Sequence, residues 1–351
     1  PVAREGADVR PIYICPTDHG KFRSTIREGE RLSQLLDPSH VPSYINTAAA
    51  LMRMNQYSKA LEQLDRAEAL EPDNPNIFWN RGLIALHNGD NIKAEDFFLK
   101  VIELDPAYAP AHFNLGLAAY RRNNLDDAQK YFHKAAWARP GEPYPEAHYM
   151  LGKVYSEERN FDAAINEYEI ALRQNPDYME AAYNLALNMD LSGDDDGAVE
   201  HYRKIADSPD APPEALNNLA AYFLSIDEPD KAVKLLERAT ALDPLYSTAS
   251  YNLGIAWLKI GNLQEAVNAF IRTCESDPDH FASWKNLGIA HARTTAYPEA
   301  LATMQKAFDL NPADADTAVY LVKYLKLLNK PESSITDVYR KAYESGARNP
   351  L

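Results

Sequence analysis

The chain has 351 residues, 46% of them hydrophobic and 25% charged, an ordinary globular composition with enough length for one large or two smaller compact domains. Its 36 Lys and Arg stand against 51 Asp and Glu, and the resulting net charge of -15 repels phosphate backbones and anionic lipid, which argues against nucleic acid as a ligand. No apolar run reaches the roughly 18 to 20 residues of a membrane span, no signal peptide is visible, and Cys15 and Cys274 lie too far apart in sequence for a disulfide scaffold or a zinc cluster.

In chain order, residues 1–23 read as an irregular arm. The stretch PVAREGADVRPIYICPTDHGK has no periodicity, although it carries an apolar triplet, Ile12, Tyr13 and Ile14. Cys15 and His19 within it are a lone pair in an irregular segment, so a turn is the better reading than a metal site. Because the chain opens at Pro1 rather than Met, a processed product or a piece of a longer protein fits, and localisation is left open. Residues 24–40 predict an N-terminal capping helix, Ser24 to Leu36, since RLSQLLDPSHVPSY imitates the end of the units that follow.

From Val41 the chain repeats itself. Units start at Val41, Pro75, Ala109, Pro145, Met179, Pro213, Ser247 and Phe281, 34 residues apart except for two extra residues around Pro143 and Tyr144. The eighth position is small (Ala48, Gly82, Gly116, Gly152, Ala186, Ala220, Gly254, Gly288) and the twentieth is Ala from Ala60 to Ala300. Position twenty-four is large (Leu64, Phe98, Phe132, Tyr168, Tyr202, Leu236, Phe270, Met304) and fills the space that the small residues leave. Breakers such as Gly89, Asn123, Gly193 and Gly261 mark a turn inside each unit, and prolines such as Pro72, Pro106, Pro244 and Pro278 stop its second helix. Each unit is therefore a helical hairpin; DSPDAPPEA shifts the stop of the fifth. Residues 41–314 hold eight units. Residues 315–351 hold a degenerate one, in which SSITDVYRKAYESG predicts a last amphipathic helix as a C-terminal cap.

The pattern resembles the tetratricopeptide repeat (TPR) family, a 34-residue helix-turn-helix carrying an aromatic, Leu-Gly, Tyr, Ala, Phe, Ala and Pro at set positions. NLGLAAYRRNNLDDAQKYFHKAAWARP holds most of it. The resemblance implies an all-α, right-handed superhelical solenoid with the first helices lining its inside, where positions 2, 5, 6, 9, 12 and 13 face a concave groove.

Position six is Asn in seven of eight units: Asn46, Asn80, Asn114, Asn184, Asn218, Asn252 and Asn286, with Met150 the exception. A carboxamide donates and accepts, so such a row suits the amides of an extended peptide, and it resembles the asparagine ladder of the O-GlcNAc transferase solenoid. The competing reading is that these asparagines bond neighbouring helices. Position five sets Trp79, Phe113, Tyr149, Tyr183 and Tyr251 beside the row, expected as an exposed binding surface. Position nine is mostly aliphatic (Leu83, Leu117, Leu187, Ile255, Ile289) and expected to pack between first helices, which disfavours a chaperone-type carboxylate clamp. Position thirteen is Arg53, His87, Arg121, Glu157, Leu191, Lys259 and Arg293, expected as solvated side chains.

No P-loop, dinucleotide fingerprint, nucleophile elbow or catalytic constellation is visible, so no cofactor and no metal are expected. His112 and His148 occupy a packed aromatic position, and GDDDG at Gly193 to Gly197 reads as a turn with an acidic helix start. The sequence thus predicts a non-enzymatic scaffold that binds a partner protein or extended peptide, with no nucleic acid and no membrane insertion. Two alternatives stand beside it: self-assembly through solenoid ends or the N-terminal arm into open-ended oligomers, and the targeting domain of a larger enzyme.

Overall fold

The computed structural model describes residues 38–139 and 141–347, so the arm and the capping helix expected at residues 1–23 and Ser24 to Leu36, with Cys15 and His19, lie outside the described residues. The described chain is all helical, and the helices come in pairs: α1 Val41–Arg53 and α2 Tyr57–Leu70, α3 Pro75–His87 and α4 Asn91–Leu104, α5 Ala109–Arg121 and α6 Leu125–Ala136, α7 Pro145–Glu157 and α8 Phe161–Gln174. They continue as α9 Met179–Ser192 and α10 Asp195–Ala206, α11 Pro213–Ser225 and α12 Pro229–Leu242, α13 Ser247–Ile260 and α14 Leu263–Ser276, α15 Phe281–Arg293 and α16 Tyr297–Leu310, α17 Ala315–Leu327 and α18 Glu332–Glu344. The first helix of each repeat starts at the residue that the repeat register assigns. The last unit, expected to be degenerate, is also a complete hairpin, with Leu321, Val322, Leu325, Ile335, Val338 and Ala342 buried between its helices.

The chain forms two compact units, one ending at Ala181 and one beginning at Ala182. In the first, α1 packs on α2, α3 on α4, α5 on α6 and α7 on α8, and each hairpin touches the next. In the second, the same holds from α11 to α18, and α10 packs on α11.

The small and large positions meet as their volumes require. A Cβ built on Gly82 would lie 2.5 Å from the Phe98 ring, on Gly116 2.7 Å from Phe132, on Gly152 2.5 Å from Tyr168, and on Gly254 2.5 Å from Phe270. No real side chain tolerates such distances, so glycine is what lets the ring lie against the first helix. The rings are fully buried, as are the alanines at position twenty, Ala94, Ala128, Ala164 and Ala266 among them.

The turn inside each hairpin needs one residue with a left-handed backbone. Gly89, Gly193 and Gly261 supply it at no steric cost, and Asn55, Asn123 and Asn329 at little. Arg159, Asp227 and Thr295 fill the same place with φ of 60°, 62° and 63°. Five of the nine second helices among the described residues are then capped by side chains: Asp90, Asn124, Asn160, Asp194 and Asn262 each accept from the backbone N–H three residues on. Asp194 belongs to the acidic run, which is therefore a helix start, and the early proline stop ends α10 at Ala206.

Position four closes the seam between hairpins. The Tyr44 hydroxyl donates to the Pro38 carbonyl (3.0 Å), His112 Nε2 bonds the Pro106 carbonyl (2.9 Å) and Trp284 Nε1 donates to the Pro278 carbonyl (2.9 Å). Each ties a first helix to the proline turn six residues upstream. The two inserted residues near Pro143 break that register for His148, which is buried and pairs instead with Glu167 at 2.7 Å.

Candidate functional site

The first helices put positions five, six, nine, twelve and thirteen on one face, because 3.6 residues per turn brings five, nine and twelve into line. In the first unit, Asn46 is exposed, Asn114 half-buried and Asn80 buried. Asn80 Nδ2 donates to the carbonyl of Asn76 (2.7 Å) and Asn114 Nδ2 to that of Pro110 (2.8 Å), each a bond back to its own helix.

The second unit uses its amides differently. Asn218 Nδ2 donates to the Tyr202 hydroxyl (3.0 Å), Asn286 Nδ2 to the Tyr251 hydroxyl (3.1 Å) and Asn252 Nδ2 to Asn217 Oδ1 (2.8 Å). These bonds join one hairpin to another. Asn184 is half-buried, and its carbonyl accepts from Asn188, whose own Oδ1 is buried without a partner. Five of the seven predicted amides thus have one N–H committed inside the protein. The side-chain oxygens of Asn80, Asn114, Asn252 and Asn286 meet no donor among the described residues and remain as acceptors.

The aromatic row is set deeper than an exposed surface. Trp79, Tyr149, Tyr183 and Tyr251 are half-buried. Phe113, at 4% exposure, belongs to the core: its ring is clasped between Phe132 (5.5 Å) and Tyr144 (5.3 Å) and presents no outer surface. The other rings follow the same rule with more left open. Trp79 packs on Phe98 and Tyr108, Tyr149 on Tyr168 and Tyr178, Tyr183 on Tyr202, and Tyr251 on Phe270 and His280. Each touches the position-twenty-four side chain of its own hairpin. Burial pushes the Tyr183 hydroxyl up to about 12, with Glu214 adding to the shift, and raises that of Tyr251 against the lowering effect of its bond from Asn286.

Position nine packs as expected, with Leu83 and Leu117 buried and Leu187, Ile255 and Ile289 half-buried. Position thirteen is exposed throughout, from Arg53, His87, Arg121 and Glu157 to Leu191, Lys259 and Arg293. Its members have local partners: His87 stacks on Tyr57 with 4.1 Å between ring centres, Lys259 pairs with Asp227 at 2.7 Å, and Glu157 accepts from the Tyr120 hydroxyl.

Sequence reasoning passed over Lys153. It holds position nine in the fourth hairpin, where the other seven of the eight full repeats carry Ala, Leu or Ile, and that substitution in an aliphatic row was the signal. The side chain is half-buried, with its ammonium 5.2 Å from the centre of the Tyr120 ring and 6.0 Å from that of Tyr149. Burial lowers its pKa from the usual lysine value, and Glu157 partly offsets the shift. No group of three or more His, Cys, Asp or Glu is placed to hold a metal ion among the described residues, and no helix among them is long and apolar enough to cross a membrane.

The sequence model described as tetratricopeptide repeat matches residues 46–109, 149–212, 217–273 and 258–315, and a second with the same description matches 97–130. Among curated proteins, the chain is 33% identical over 108 residues to the Photosystem I assembly protein Ycf3 of Acaryochloris marina, spanning 27% of this chain and 65% of that one. It is 28% identical over 176 residues to the probable UDP-N-acetylglucosamine–peptide N-acetylglucosaminyltransferase SPINDLY of Hordeum vulgare, 46% of this chain and 18% of that one. The chain therefore spans less than two thirds of the length of either relative. Among solved structures, the C-terminal part of a TPR repeat-containing protein from Cytophaga hutchinsonii superposes with a TM-score of 0.54 at 16% identity, covering 68% of this chain and 96% of that one, a likeness of fold.

Proposed function

This chain belongs to the tetratricopeptide repeat family, and from that premise we propose that it is a non-enzymatic scaffold that holds an extended segment of a partner protein along the face of its first helices. The observation that carries the reading is the pair of amide oxygens at Asn80 and Asn114 in the first unit, left without donors among the described residues, and the like pair at Asn252 and Asn286 within the second. An extended peptide offers a backbone N–H at every residue other than proline, and a row of acceptors takes those donors whatever the side chains are. Within the first unit Trp79 and Tyr149, and within the second Tyr183 and Tyr251, supply rigid apolar area on the same face of the first helices. The amide oxygens act as acceptors in this scheme, because one N–H of each amide already bonds within the fold and fixes which way the oxygen points.

Selection of displayed 12-residue peptides on the intact chain tests the reading. Binders are expected that are lost on an Asn80→Ala, Asn114→Ala double variant. Those two asparagines bond only their own helices, so alanine leaves the fold in place, which circular dichroism verifies. A chain that selects no peptide, or whose peptides ignore the double variant, rejects it.

A second reading, self-association, has the exposed Val319, Leu327 and Tyr343 of the last hairpin in its favour. Sedimentation of the intact chain and of a Leu327→Glu variant separates the two. A monomer in both cases removes self-association.

A further inference from the structure

The asparagine row is interrupted once, and a cation stands at the interruption. In the fourth hairpin Met150 replaces the asparagine and is buried at 3% exposure, while Lys153 replaces the aliphatic residue three positions on. The surroundings of Lys153 are built from Tyr120, Tyr149 and Glu157, with Tyr168 behind Tyr149, all within the first compact unit. Glu157, one turn along the same helix, is the natural partner for Lys153. It is instead held by the Tyr120 hydroxyl, and Lys153 has no carboxylate within 4.0 Å among the described residues. The ammonium lies against two π faces, which steady a cation without neutralising it. The Tyr168 hydroxyl, on the ring that packs against Tyr149, is fully buried with no hydrogen-bond partner among the described residues, and burial raises its pKa. Unpaired buried polar groups cost free energy unless something completes them.

We propose that Lys153 and the Tyr120–Tyr149 pair form a carboxylate subsite that fixes the register of the bound peptide by taking one acidic group. The inference rests on the peptide-binding reading above and deepens it. The charge of the wider face agrees: Arg53 and Arg121 stand exposed along its edge, with Glu157 the acidic residue of that row, on a chain whose net charge is -15. Acidic peptides are thus repelled by most of the surface and admitted at this face. Lowering of the lysine pKa by burial marks an ammonium short of solvation, which an incoming carboxylate supplies. Aliphatic residues at position nine in neighbouring hairpins show that the fold does not need a lysine there.

The test uses the displayed 12-residue peptides with the intact chain, Lys153→Met and Lys153→Glu. Methionine keeps the helix and the packing volume, and helicity and unfolding midpoint are checked for each protein. The intact chain is expected to enrich Asp or Glu at one register, Lys153→Met to lose that enrichment, and Lys153→Glu to replace it with Lys or Arg. For a synthetic binder, Glu→Gln at that register is expected to weaken binding about tenfold to the intact chain and not at all to Lys153→Met. Amidating the peptide's C-terminus separates an acidic side chain from a terminal carboxylate: loss of binding on amidation assigns the subsite to the chain end. Peptides that bind through the asparagines yet show no acidic preference, or one unchanged in Lys153→Met, overturn this inference alone. Failure to select any peptide sensitive to the asparagine double variant overturns this inference and the reading beneath it.

Discussion

The two compact units carry the same asparagine at the same repeat position and spend it differently. In the first, Asn80 and Asn114 fold back on the carbonyls of Asn76 and Pro110; in the second, Asn218 and Asn286 reach the hydroxyls of Tyr202 and Tyr251. The ring beside each amide decides. Trp79, Phe98, Phe113 and Phe132 offer no oxygen, so in the first unit the nearest acceptor is the helix itself. A repeat position thus fixes where a side chain stands, and its neighbours fix what it does. Amides in the second unit stitch hairpins together, whereas those of the first serve only their own helix and are the freer to meet a ligand.

The largest expected effect tests what the units share. Gly116→Ala and Gly254→Ala push a methyl group to within 2.7 Å and 2.5 Å of the Phe132 and Phe270 rings. Each should destabilise by about 1 to 3 kcal/mol in denaturant unfolding, as overpacking does. Equal losses support one frame beneath two polar surfaces; a loss confined to one unit breaks that idea.

Smaller effects should separate the units. Tyr202→Phe removes the acceptor of Asn218 and should cost about 1 kcal/mol. Tyr168→Phe, at the same repeat position, deletes a buried hydroxyl without a partner, so neutral or increased stability is expected. The contrast extends to the asparagines: Asn286→Ala should cost about 1 kcal/mol, and Asn80→Ala should change stability by no more than about 0.5 kcal/mol because helix propensity offsets the lost back-bond. Thermal or chemical unfolding of the four variants reads the difference, and matching losses for Asn80→Ala and Asn286→Ala would remove the distinction drawn between the units.

The smallest expected effect lies at the hairpin turns. Thr295 holds φ 63° with a β-branched side chain where Gly261 holds φ 93°, so Thr295→Gly should raise stability by a few tenths to about 1 kcal/mol as left-handed strain is relieved. Asn123→Gly, by the same measurement in the first unit, should gain less, since asparagine tolerates this conformation.

The frame was legible in the sequence because its causes are local and repeated. A period of 34 set every first-helix start from Val41 to Phe281, and the pairing of Gly82 with Phe98 or Gly254 with Phe270 follows from volume alone. Turns at Arg159, Asp227 and Thr295 were not legible as breakers, since the hairpin imposes the left-handed conformation on residues that do not prefer it. The candidate site was half legible. Its asparagines and rings stood out by repetition, but their depth did not: Phe113 is sealed between Phe132 of its own hairpin and Tyr144 at the start of the next.

Lys153 escaped notice because repeat logic looks for agreement, and its meaning came from disagreement with its row. The sequence by itself determined the hairpins, their register and the face on which function is sought, because helix period, small-to-large packing and proline stops act within one repeat. Tertiary structure decided which amides are spent, which rings are covered and that Lys153 has no carboxylate within 4.0 Å among the described residues. Those properties depend on side chains brought together from different helices, at distances of a few ångströms that no one-dimensional pattern encodes.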